Sequence, residues 1–323
     1  IKILSDIDTT FDLDIENRFA SSVYGKGTIY SKSLRLGIAE TLVWLSINHE
    51  KLLANTQHQY LVYHVIKKVL SSNDWKLWAS LNSLLPILAE ADPKAFMDSL
   101  HEQLTNSSNA IIGLFNQEGD GFTSGCLITG LLWGLEIVAW FPNYFQRVCI
   151  FLAELTKIDK GGKFANRPIE TLKELLLPWL NTSNVLIDTK INTVKHLVEV
   201  YPDITWKIIF SLLPNTHSVS SGITKPKYRK ELLANYKQEV NRNNYQNQIF
   251  TYSNLVIALM KQDFSRFYTV LDHLNSINPK LYDDLFCFLN NFDFSQMNEK
   301  EKIDLWENVS KLMELKVQKN VLV

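Results

Sequence analysis

Between Cys126 and Trp140 the chain is apolar on every side, and Glu136 is the only charged residue in the run. A helix with no polar face has to be covered by neighbours. A membrane span needs about 20 apolar residues, so this shorter run, interrupted by a carboxylate, belongs in a protein core. Everything else must therefore be arranged around it. The apolar fraction of the whole chain, 46% of 323 residues, supplies enough material for such a core.

Pro142 restarts the chain after this run, and Phe145, Val148, Cys149, Leu152 and Leu155 then follow helical spacing on one face. A basic, glycine-containing loop closes the stretch from Lys157 to Pro168. Upstream, residues 1–33 are the least helical part and read as a linker or N-terminal extension. Their Asp6, Asp8, Asp12 and Asp14 do not make a calcium loop, because Phe11 stands where the glycine would be needed. From Ser33 the helical period takes over, with Leu34, Ile38, Leu42 and Leu45 expected on one inward face. Asn73 or Asp74 is placed to cap a helix at Trp75–Leu81, and Pro86 sits in the first turn of the next. Residues 104–124 read as a loop broken by a short turn near Ile111–Phe115.

Downstream, helices are expected at about 169–177, from an Asp188 cap, and from Pro202 with Ile204, Ile208, Ile209, Leu212 and Leu213 inward. They resume near Arg229. The last, opened by Asn298 with Glu301 three residues on, would bury Ile303, Trp306, Val309 and Met313. Four junctions share one grammar. Asp92-Pro93, Phe141-Pro142, Tyr201-Pro202 and Asn278-Pro279 each put proline where a first helical residue belongs, followed by Phe96, Phe145, Ile204 and Trp206, or Tyr282. The separations are irregular. The expected fold is all-α, with irregular helix-hairpin repeats of the α-solenoid kind over 34–323 and a division near 215–228.

Chemistry is sparse. No phosphate-binding loop, nucleophile elbow or metal-ligand spacing is present. Seven histidines are scattered, and the three cysteines, Cys126, Cys149 and Cys287, are far apart, as buried thiols of a reducing cytoplasm are. No cofactor, metal or membrane segment is expected. The net charge of -1 gives no general field for nucleic acid.

Two polar loops stand above this background. One offers Lys160, Lys163, Asn166 and Arg167; the other, within 215–230, offers His217, Lys225, Lys227, Tyr228 and Arg229. Cations interleaved with an aromatic suit a phosphate backbone and a stacked base, and equally a solvated surface. For Arg167 the leading expectation is structural, an ion pair with Asp159 or Glu170 that locks the loop.

The runs Gly130–Glu136 with Ala139–Pro142, Gly161–Pro168, Leu177-Pro178-Trp179, and later Trp206-Lys207 with Leu212–Pro214, His217 and Lys225–Tyr228, resemble a helical region of large bacterial anti-phage defence proteins. Those proteins join a sirtuin-like or STAND-type NTPase effector to a helical C-terminal sensor. The resemblance covers about residues 125–230. It implies a non-catalytic binding or sensor module, a phage protein as ligand, and an effector outside this chain. The start at Ile1, without an initiator Met, fits a piece of a longer protein. The alternatives are a nucleic-acid-binding helical domain using the two basic loops, and a scaffold that forms homo-oligomers. Trp75, Trp78, Trp133, Trp140 and Trp206 are expected to pack inside.

Overall fold

In the computed structural model the chain is all-α, with no strand among the described residues. Those residues are 1–48, 57–106, 110–117, 125–215, 219–234, 236–293, 295, 299–300, 302–303, 305–307 and 309–310, with backbone alone at 57–59. The predicted Asn298–Glu301 cap and Met313 lie outside them. The chain divides into two compact units. One holds 1–175, 182–185 and 221–237; the other holds 176–181, 186–220 and 238–323.

The first unit contains α1 (Lys32–Ile47), α2 (Gln57–Leu70), α3 (Trp75–Ser80), α4 (Leu85–Ala91), α5 (Pro93–Thr105), α6 (Ala110–Phe115), α7 (Thr129–Val138), α8 (Phe145–Ile158) and most of α9 (Pro168–Leu176). α7 is the apolar run, shortened at both ends. Its Leu131, Leu132, Leu135, Ile137 and Val138 are buried, as are the following Ala139 and Trp140. Trp133 is the exception. It is 46% exposed, which corrects the expectation that it packs inside. Trp78 and Trp140 are fully buried.

α7 packs on α4, and the pairs α1–α4, α2–α5 and α3–α6 repeat the same relation of helices three apart, beside the consecutive pairs α1–α2 and α4–α5. The close α4–α7 fit depends on glycine. At Gly134 a methyl group would meet Phe96, and at Gly130 it would meet the backbone of Asn82. Asp74 caps α3 by accepting from the Lys76 N–H, and Asp92 caps α5 by accepting from the Ala95 N–H. All four prolines of the shared grammar stand at the start of a helix or 3-10 turn.

The inward face of α1 is rotated from the expected one. Arg35, Ala39, Leu42, Val43 and Ser46 are buried, and Leu34 is exposed. The N-terminal segment, expected as a linker, is held to this unit. Leu4 is buried, the Tyr30 N–H donates to Asp6, the Asp8 N–H donates to Ser80 Oγ, and Lys76 pairs with Asp12 at 2.7 Å. Backbone and lysine donors thus engage Asp6 and Asp12, and no metal-binding cluster exists among the described residues.

The second unit is built on α12 (Arg242–Gln262), against which α10 (Ile187–Val200), α11 (Pro202–Ile209), α13 (Arg266–Asp272) and α14 (Tyr282–Asn290) pack. α10 buries Ile191, Val194, Leu197 and Val198 as its spacing predicts, although Leu186 rather than Asp188 precedes its first residue. The α-helix expected near Arg229 starts only at Arg242, where Asn241 caps it; residues 230–233 form a 3-10 turn. Ile303 and Trp306, expected inward, are exposed, and Leu305 is buried instead. No helix among the described residues is long and apolar enough to cross a membrane.

Candidate functional site

The two basic loops both belong to the first unit over 157–168 and 221–230. In the first loop, Arg167 is buried and its Nη1 lies 3.0 Å from Asp159 Oδ1, while its Nε donates to the Phe164 carbonyl. This is the locking pair expected from the sequence. Lys160 reaches Asn116 Oδ1 at 3.3 Å, Lys163 is exposed, and Asn166 is half-buried. Breaking one side of a buried pair strands the other charge, at a cost of about 3–5 kcal/mol. Arg167→Leu is therefore expected to destabilise the first unit by a large part of that and to speed tryptic cleavage after Lys160 and Lys163. Urea unfolding and a proteolysis time course would measure it.

The second loop is a strap over 221–229 whose backbone is held by carboxylates, while the Lys225 and Lys227 side chains are exposed. Four helices each offer it one glutamate. Ser221 N–H and Oγ donate to Glu174 of α9, and Thr224 N–H and Oγ1 donate to Glu136 of α7 at 2.8 and 2.6 Å. The N–H groups of Lys227, Tyr228 and Arg229 all donate to the carboxylate of Glu90 in α4, at 3.1, 2.6 and 2.7 Å. Tyr228 OH and Lys227 Nζ both reach Glu40 Oε1 of α1. Successive backbone N–H groups converging on one carboxylate form a nest for an anion.

Arg229 adds a second lock. Its guanidinium donates to the backbone carbonyls of Glu90 and Ala91 and to Ser46 Oγ. It thus covers the last carbonyls of α4, where positive charge is favoured. The buried Trp140 indole donates to the Thr224 carbonyl, Tyr236 packs edge-on against Trp140, and the Lys225 ammonium lies over Tyr236. His217 lies outside the described residues.

The two loops meet in one place. A cavity of about 540 Å³ is lined from α7 by Trp133 and Glu136, from the first loop by Ala165 and Asn166, from α9 by Glu170, Thr171 and Glu174, and from the strap by residues 221–224. Gly222 adopts φ +73°, a conformation that costs a side chain and turns the strap over the rim. Of the predicted residues that are described, Asn166 alone lines it.

Comparison with known proteins found no matching family model, no matching curated protein and no matching solved structure. The functional reading therefore rests on the site itself.

Glu136 is 7% exposed, and burial raises its pKa above the ordinary value near 4.5. Hydrogen bonds from Thr224 and Thr171 oppose that rise, and the nearby negative charge of Glu174 adds to it. The folded chain thus holds this proton more tightly than the unfolded chain. The stability linked to it is complete below about pH 4.5 and is lost as pH rises through the raised value. Glu136→Gln is expected to flatten the fall in urea midpoint with rising pH just above that point, relative to the parent chain measured in the same buffers.

Glu40, Glu90, Glu136 and Glu174 escaped the sequence reading as strap ligands. A signal existed for two of them. Glu90 stands within Leu84–Ala91 and Glu136 within Cys126–Trp140, and a carboxylate in an apolar run needs a partner. Which partner it finds is not written in the spacing.

Proposed function

We propose that this chain is a non-catalytic helical binding module that acts in the cytoplasm as the sensor part of a larger bacterial defence protein, recognising a phage protein and relaying that event to an effector outside the chain. The succession of proline-opened hairpins is read as irregular repeats of the α-solenoid kind. The observation that carries the relay is the strap. Residues 221–229 are tied to the first unit by glutamates of four helices, while the chain on both sides, 186–220 and 238 onwards, belongs to the second unit. A ligand that changes how the strap is held acts on a connection both units share through the backbone.

The same contacts disfavour nucleic acid. Arg167, Lys227 and Arg229 are engaged by Asp159, Glu40 and the end of α4, and phosphate would have to compete with those partners. The test uses the purified chain as bait in lysates of infected and uninfected bacteria. A phage-encoded protein recovered only after infection, and rebinding the chain when both are pure at moderate salt, supports the proposal. Nucleic acid released with a steep salt slope overturns it in favour of the basic loops. A mass that rises with concentration and no captured ligand overturns it in favour of the homo-oligomeric scaffold.

A further inference from the structure

We propose that the recess between α2, the start of α5 and the end of the strap is a docking site for a proline-rich segment of a partner protein, bound as a polyproline II helix. The recess measures about 610 Å³, and three tyrosines line it, Tyr60 and Tyr63 of α2 and Tyr144 of the 3-10 turn Pro142–Tyr144. Tyr60 is 67% exposed, and its ring stacks on His64 one turn further along α2, with 6.3 Å between ring centres. Val62 and Ile66 of the same helix are fully buried, so the core face of α2 lies away from Tyr60. Tyrosines at a surface recess are the usual anchors of a protein contact.

The lining selects the mode of binding. Strand addition needs a sheet edge, and there is no strand among the described residues. A groove for an amphipathic helix is walled by aliphatic side chains. Here Ala91 and Pro93 are buried, and no leucine, isoleucine, valine or methionine among the described residues lines the recess. An acidic or phosphorylated segment needs cations that are not already engaged. Lys94 pairs with Asp98 at 2.7 Å, and Arg229 donates to the last carbonyls of α4 and to Ser46. Asp92 adds a carboxylate to the lining, itself accepting from the Ala95 N–H. Charge is thus compensated within the first unit, and an uncharged segment is the one that fits.

Proline meets what remains. A polyproline II helix makes no internal hydrogen bonds, so its carbonyls look for donors while its pyrrolidine rings lie on aromatic faces. The hydroxyls of Tyr60 and Tyr144 have no hydrogen-bond partner among the described residues, and each can donate to such a carbonyl. The segment is extended before it binds, so little order has to be imposed on it. The volume is within the range that takes a small ligand or a few residues of chain. Arg229 lines the recess, so a segment seated there lies against the end of the strap. The inference does not rest on the sensor reading, because any partner protein can carry a segment of this kind.

The test titrates the whole chain, labelled with 3-fluorotyrosine, with acetylated decaproline amide and with a capped peptide that repeats Ala-Pro-Pro. The controls are a capped Gly-Ser repeat of the same length and an amphipathic helical peptide with leucine on one face. The readout is the fluorine resonances of Tyr60 and Tyr144, assigned by their loss in Tyr60→Phe and Tyr144→Phe. A saturable shift of both with at least one proline-rich peptide, and none with the controls, is the expected result. Tyr60→Ala should weaken that binding by about five- to tenfold, read on Tyr144, and Tyr60→Phe by about threefold through loss of the hydroxyl. Tyr60 is exposed, so neither variant should disturb folding, and an unchanged urea midpoint checks this. No saturable shift with either proline-rich peptide, or an equal shift with the Gly-Ser repeat, overturns the proposal. A larger shift with the leucine-bearing helix overturns it in favour of helix docking. Capture of a phage protein by a chain that binds none of these peptides would leave the sensor reading standing while this site failed.

Discussion

Replacing Glu90 with alanine is expected to destabilise the first unit by about 3–5 kcal/mol, the largest effect of any single strap substitution. Glu90 is 1% exposed, and its carboxylate is the acceptor for three consecutive backbone N–H groups, those of Lys227, Tyr228 and Arg229. Alanine removes the acceptor shared by three part-buried donors, which favours release of the strap. Net hydrogen bonds to charged groups contribute about 1.5–3 kcal/mol each, and the three share one carboxylate, so they will not add in full. Glu90→Gln keeps one carbonyl oxygen and should fall between the parent and alanine. The measurement is urea unfolding, paired with tryptic cleavage after Lys227 and Arg229, which release of the strap should accelerate. Glu40→Gln is the contrast, because Glu40 meets Tyr228 and Lys227 at an exposed edge. An unchanged cleavage rate in Glu90→Ala would show that the nest does not hold the strap.

The second large effect is expected at Gly130. A methyl group there would lie 1.7 Å from the Asn82 backbone oxygen, and the Gly130 N–H already donates to Asn82 Oδ1 at 2.6 Å. Backbone cannot swing aside as a side chain end can. Gly130→Ala should therefore cost more than the about 1–3 kcal/mol usual for overpacking, and separate α7 from the turn that precedes α4. Gly134→Ala meets the far end of the Phe96 ring at 2.8 Å and should stay within that range. Gly37→Ala, in α1 with nothing within 4 Å of the added carbon, should stabilise by about 0.5–1 kcal/mol. Thermal or urea unfolding of the three variants orders them. Equal behaviour of Gly130→Ala and Gly37→Ala would remove close backbone approach as the reason for glycine at 130.

The two predictions divide along the line between what the chain's order encodes and what folding adds. The sequence by itself determined the helical class, the buried run around Leu131 to Trp140, to which the exposed Trp133 is the exception, and the four proline starts. Each follows from local rules: period, apolarity on all sides, and a residue without an N–H. The Arg167–Asp159 pair was within reach for a similar reason, since its partners are eight residues apart in one loop. The face of α1 was displaced by one position because aliphatic spacing alone cannot foresee a buried Arg35 or Ser46, polar residues accepted inside only where a tertiary partner such as the Leu4 carbonyl or Arg229 awaits them.

Only the tertiary structure decided the fate of the second basic loop. Lys227 and Arg229 read as a solvated basic surface in sequence because the groups their side chains meet, the Glu40 carboxylate and the Glu90 backbone carbonyl, are more than 130 residues away. It also decided the cavity. Trp133 and Glu136 are three apart on a helix that looks like pure core, and Asn166, Glu174 and Thr224 join them from separate segments. A periodic pattern states which residues leave water. Which polar groups then meet is set by how helices distant in sequence pack, and here the strap across α9, α7, α4 and α1 is clamped through its backbone and Arg229 while Lys225 and Lys227 stay at the surface.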